Sequence, residues 1–69
     1  MYKLFYSTNS KEIIEIKGGP YSTFGLAKKV LYETFNRLMW QGTICFWVNN
    51  ITFKGNIDGI ETVFFLKKV

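Results

Sequence analysis

Ile44-Cys45-Phe46-Trp47-Val48-Asn49-Asn50-Ile51-Thr52-Phe53, followed by Asp58-Gly59 and the apolar run Val63-Phe64-Phe65-Leu66, carries the clearest strand and turn signals of the chain. Two turn signals divide it into three strand-like segments, a β-meander. With Asn49-Asn50 as a two-residue hairpin turn, Val48 pairs with Ile51, Trp47 with Thr52, Phe46 with Phe53 and Cys45 with Lys54. With Asp58-Gly59 as a second such turn, Ile57 pairs with Ile60, Phe53 with Phe64, Thr52 with Phe65 and Ile51 with Leu66. Side chains alternate across a strand, so these registers place Ile44, Phe46, Val48, Ile51, Phe53, Ile57, Ile60, Phe64 and Leu66 on one face. Cys45, Trp47, Thr52, Lys54, Asn56, Glu61, Val63, Phe65 and Lys67 fall on the other.

Upstream lies the one segment of helical period, from about Thr23 to Trp40, opened by Ser22 or Thr23 as a cap and closed by Gly42. Phe24, Ala27, Val30, Leu31, Phe35 and Leu38 form one stripe that includes Thr34, and this stripe packs on the first sheet face. Lys29, Glu33 and Arg37 ladder along the opposite, solvated side, toward which Leu26 and Trp40 also project. Before the helix, Tyr2 to Ser7 and Glu12 to Lys17 read as a hairpin around Thr8-Asn9-Ser10-Lys11. A two-residue turn there sets Tyr6 against Ile13, while a bulged loop moves Ile14 and Ile16 to the other face. The expected fold is therefore α+β: one domain over residues 1–69, with an antiparallel sheet of about five strands and a single helix on one face.

A chain of 69 residues has room for one core only, and chains this short usually need a staple. Cys45 is the only cysteine and there is no histidine, so an internal disulfide and a Cys/His zinc site are both excluded. Self-association as a homodimer is the staple that remains. The longest apolar runs, Ile44 to Val48 and Val63 to Leu66, are far shorter than a membrane span, and the N-terminus alternates like a strand rather than reading as a secretory signal. The expected location is the cytoplasm, with no membrane contact.

Chemistry-bearing constellations are sparse. The five acidic residues are scattered without convergent spacing, and no histidine supplies a general base, so the chain is expected to be no enzyme and to use no cofactor. Cys45 opposite Lys54 has the makings of an activated thiol but lacks any base, and reads as a packing residue. Lys17-Gly18-Gly19-Pro20 runs toward a helix N-terminus, as phosphate loops do, yet matches neither nucleotide-binding pattern; glycines equally serve a tight reversal.

A single helix covers one face of a sheet, which leaves Trp47, Phe65 and Val63 as an apolar patch rimmed by Lys54 and Lys67. These five residues are the expected partner-binding surface. Two function classes use it: a protein-binding module anchored by Trp47 and Phe65, and a single-strand nucleic-acid binder in which the aromatics stack bases while Lys3, Lys54, Lys67 and Lys68 neutralise phosphates. A net charge of +4 without any basic run longer than two residues favours the protein partner. In size and composition the chain looks like the small accessory proteins with which phages and plasmids inhibit host enzymes or defence systems.

Overall fold

The computed structural model describes residues 1–9 and 12–69, so Ser10 and Lys11 of the expected first turn lie outside the described residues. The elements are β1 (Tyr2–Thr8), β2 (Glu12–Glu15), α1 (Phe24–Trp40), β3 (Cys45–Asn49), β4 (Thr52–Ile57) and β5 (Ile60–Lys68). All strands join one antiparallel sheet in the order β2-β1-β5-β4-β3, with the C-terminal strand in the middle. The α+β architecture is the one read from the sequence.

Both helix caps act where the chain placed them. The Leu26 N–H donates to Thr23 Oγ1 at 3.2 Å. At the far end Gly42 takes φ +94°, its N–H reaches Met39 O, and the Thr43 N–H reaches Leu38 O, which gives two carbonyls of the last turn their donors. Between the caps, Ala27 and Leu31 are fully buried and Val30, Phe35 and Leu38 pack around them. Leu26 and Trp40 project into solvent, Trp40 with 93% of its surface exposed.

The β4–β5 hairpin has the register read from the sequence, with Ile57 opposite Ile60, Phe53 opposite Phe64 and Thr52 opposite Phe65. Asp58 and Gly59 both adopt positive φ (53° and 82°), as a tight hairpin turn requires. The first hairpin pairs Tyr6 with Ile14 and not with Ile13, so Ile14 and Ile16 lie on the helix side and Ile13 on the other.

The β3–β4 register differs from the reading by one residue. Cys45 pairs with Gly55, Phe46 with Lys54 and Trp47 with Phe53; then a bulge at Val48 intervenes and Asn49 pairs with Thr52. Asn50 and Ile51 occupy the loop, and Asn49 Oδ1 accepts the Ile51 N–H at 2.9 Å, which fixes the turn one position later than Asn49-Asn50. A slip of one residue exchanges the faces of a strand. Cys45 and Trp47 accordingly point under the helix, while Ile44, Phe46 and Val48 point away from the core or lie at its margin, exposed. The expected outward rows Trp47–Thr52–Phe65 and Cys45–Lys54–Val63 hold only for their β4 and β5 members.

The core between α1 and the sheet is built on Leu4, Ala27, Leu31, Phe53, Phe64 and Leu66. Trp47 roofs it at the β3 side: its ring stacks on Phe35 at 4.9 Å and Tyr32 at 5.3 Å, meets Phe53 edge-on at 5.1 Å, and lies 4.7 Å beneath Lys28 Nζ. Gly55 is needed where it stands, because a Cβ there would come within 2.9 Å of Cys45 Sγ.

Candidate functional site: the uncovered face of the sheet

The side of the sheet away from α1 carries no layer of structure among the described residues. Its outward side chains are read from the ladders. Phe5, Phe65 and Thr52 share one row, Ser7, Val63, Lys54 and Phe46 the next, and Glu61 and Asn56 a third. Lys3 and Lys67 sit side by side beyond the first row, while Glu15 and Ile13 extend the first and second rows onto β2.

Alternation along β1 and β5 produces the centre of this face. Leu4 and Tyr6 go inward, so Phe5 must go outward; Phe64 and Leu66 go inward, so Val63, Phe65 and Lys67 must go outward. Phe5 and Phe65 are directly paired across the strands, and their rings stack with centroids 5.6 Å apart and planes 24° from parallel. The contact leaves both rings half-buried by each other and by their neighbours rather than by the core. Toward the β3 edge Phe46 stands more open, with 57% of its surface exposed, next to Lys54.

Charge surrounds the apolar centre with both signs. Lys3 Nζ and Glu15 Oε1 form an ion pair at 3.2 Å, while Lys67, Lys54 and Glu61 occupy other positions around Phe65 and Val63. Three lysines against two glutamates leave the face one net positive charge, out of +4 for the whole chain. The remaining excess lies elsewhere: Lys28 and Lys29 are on the helix, and Lys68, paired with Tyr2, is on the helix side of the sheet.

Of the residues expected to form the surface, Phe65, Val63, Lys54 and Lys67 come together on this face and Trp47 does not. Trp47 lies beneath the helix, so the assignment of that indole to the contact surface is corrected by the register. Phe46 takes its place. Phe5 and Ile13 were missed because the strand-to-strand order, which sets β1 beside β5, is not written in local sequence; the outward phase of Phe5 was legible in the alternation of Tyr2 to Ser7.

Other candidate groups resolve structurally. Cys45 is buried, its thiol is pushed up above the ordinary cysteine range by burial, and its N–H donates to Met39 Sδ at 3.4 Å. It faces Gly55, not Lys54, so no cation stands across the strand from it. In the Gly18-Gly19 reversal the Tyr21 ring packs onto the glycines, where a Cβ on Gly18 would meet Tyr21 Oη at 2.9 Å. Tyr21 then exchanges two backbone hydrogen bonds with Tyr2, tying the loop to β1. On the helix side an apolar groove of about 420 Å³ opens between Leu38 and the β4–β5 turn, lined by Tyr6, Ile57, Ile60 and Phe64. Among the described residues no three of His, Cys, Asp and Glu come together, and no helix is long and apolar enough to cross a membrane.

Comparison with known proteins finds no matching family model, no matching curated protein and no matching solved structure.

Proposed function

We propose that the chain is a non-catalytic protein-binding module of the cytoplasm that works through the uncovered face of its sheet, with Phe65, Phe5 and Phe46 as anchors, Val63 and Lys54 between them, and Lys67 at the rim. The observation that carries the reading is the stacked Phe5–Phe65 pair at the centre of a sheet face with no covering layer among the described residues. Apolar aromatic centres ringed by charges of both signs are how protein interfaces are built. A module of this kind acts by occupying a partner, which is also how small accessory inhibitors of phages and plasmids act. A second copy of the chain counts among the partners that such a face accommodates.

Single-strand nucleic-acid binding is the second reading, and the adjacency of Phe46 and Lys54 across β3 and β4 favours it. The charge distribution favours the first, since a phosphate-binding face concentrates cations and this one holds a single net positive charge.

The test is capture of the partner by wild type, Phe65→Ala and Phe46→Lys. Both variants are expected to weaken capture about thirtyfold or more; Phe46→Lys keeps the wild-type circular dichroism melt, while Phe65→Ala, which loses its stack on Phe5, melts lower but stays folded. Unchanged capture by both would refute the reading. Micromolar oligonucleotide binding with a steep salt slope would transfer the face to the second reading.

A further inference from the structure

We infer that the occupant of the uncovered face is a second copy of the same chain, stacked sheet to sheet with its strands antiparallel to the first. The inference rests on the reading of that face as a protein-binding surface and names what binds there.

β5 is the middle strand of the sheet. Its outward side chains are, in order, Glu61, Val63, Phe65 and Lys67: an acid, two apolar groups and a base. A two-fold axis crossing the strands between Val63 and Phe65 maps this series onto its own complement. Glu61 then meets Lys67 of the second copy, Lys67 meets its Glu61, and Val63 and Phe65 cover one another. A two-fold axis running along the strands instead sets Glu61 on Glu61 and Lys67 on Lys67. Charge therefore chooses between the two arrangements.

Neighbouring strands agree with the choice. About the axis that crosses the strands, β1 stays over β1 and β4 over β4 while the rows exchange. Lys54, in the Val63 row, lands on the Phe65 row, where its strand carries Thr52. Lys3, in the Lys67 row, lands on the row of Glu61. No lysine is set directly against a lysine, although each copy carries a net charge of +4.

Area is adequate and modest. At about 4.8 Å per strand and about 3.4 Å per residue the face measures about 24 by 22 Å, so covering it on both copies removes on the order of 1,000 Å². That falls among the small, weak interfaces, and it supplies the kind of added burial a chain this short lacks on its own.

Sedimentation equilibrium from about 1 µM to about 1 mM reads the association directly. Wild type is expected to pass from monomer to dimer over this range. Glu61→Lys and Lys67→Glu each place like charges at both ends of the symmetric stack, and each is expected to raise the dissociation constant about tenfold or more. The double swap, Glu61→Lys with Lys67→Glu, restores the dimer, and an equimolar mixture of the two single variants forms a heterodimer. Both positions are exposed, so the melts of all four proteins should agree at concentrations low enough to keep them monomeric. A wild type that stays monomeric, or a dimer indifferent to the swaps, overturns the inference. If wild type stays monomeric while Phe65→Ala and Phe46→Lys still weaken capture of a different protein from cell lysate, the inference falls and the reading of the face stands; if capture is also unaffected, both fall. Oligonucleotide binding by a monomer overturns it as well.

Discussion

Truncating Trp47 and Phe46 to alanine, one at a time, separates the two sides of β3. Trp47 makes three ring contacts at 4.9–5.3 Å and carries a cation above it. Large aromatics lost from a core cost about 3–5 kcal/mol, and the half-buried position of this indole sets Trp47→Ala near the bottom of that range, about 3 kcal/mol. Phe46 is mostly exposed, so Phe46→Ala should cost about 0.5 kcal/mol or less. Total stability for a domain of this length is about 4–10 kcal/mol, which makes the first variant marginal and leaves the second close to wild type. In thermal melts the difference is at least about 10 °C. Urea unfolding followed by circular dichroism, at concentrations low enough to keep the chain monomeric, gives both values. An equal cost for Phe46→Ala and Trp47→Ala would contradict this register, because that outcome belongs to the unshifted one in which Phe46 lies under the helix.

Four further outcomes follow from individual contacts. Gly55→Ala should destabilise by about 1–3 kcal/mol through its clash with Cys45 Sγ, and Cys45→Ala in the same chain should recover part of the loss in a double-mutant cycle. Thr23→Ala removes the acceptor for the Leu26 N–H and should cost about 1 kcal/mol in urea. Gly42→Ala forces a side chain into positive φ, with a loss of about 1 kcal/mol by the same assay. Burial raises the Cys45 thiol, so the folded chain holds that proton more tightly than the unfolded one; the stabilisation is complete below the ordinary cysteine range and is lost as pH rises above it. Urea midpoints measured upward from about pH 8 should therefore fall more steeply for wild type than for Cys45→Ala, and parallel curves would contradict the assignment.

What could be read from the sequence depended on how unambiguous the local chemistry was. Thr23 and Gly42 announce a helix because an acceptor hydroxyl and a residue tolerant of positive φ are what the two ends need. Asp58-Gly59 fixes β4–β5 because both positions of that turn require positive φ, and both residues tolerate it. At Asn49-Asn50 either asparagine can open the turn, and the bulge at Val48 absorbs the difference. The strand itself gave no correction: Ile44, Cys45, Phe46, Trp47 and Val48 are all apolar, so the period-two signal that pins a register is missing. A cue was present in Gly55, whose missing side chain makes room for Cys45 Sγ on the buried face. The outward face was legible wherever β4 and β5 supplied it, through Phe65, Val63, Lys54 and Lys67. Phe5 joined them through a pairing between the first strand and the last, which no local pattern encodes.

The character of the uncovered face depends on which side chains of β3 and its neighbours point to it, and proton NMR reads that directly. Ile44 O accepts the Asn56 N–H, so by alternation Trp47 and Phe53 form a pair without mutual hydrogen bonds, in which the two Hα protons come close. A strong Hα–Hα cross-peak between Trp47 and Phe53, with indole contacts to Phe35, is the predicted spectrum. A cross-peak from Trp47 to Thr52, with Phe46 protons meeting the helix, would contradict it.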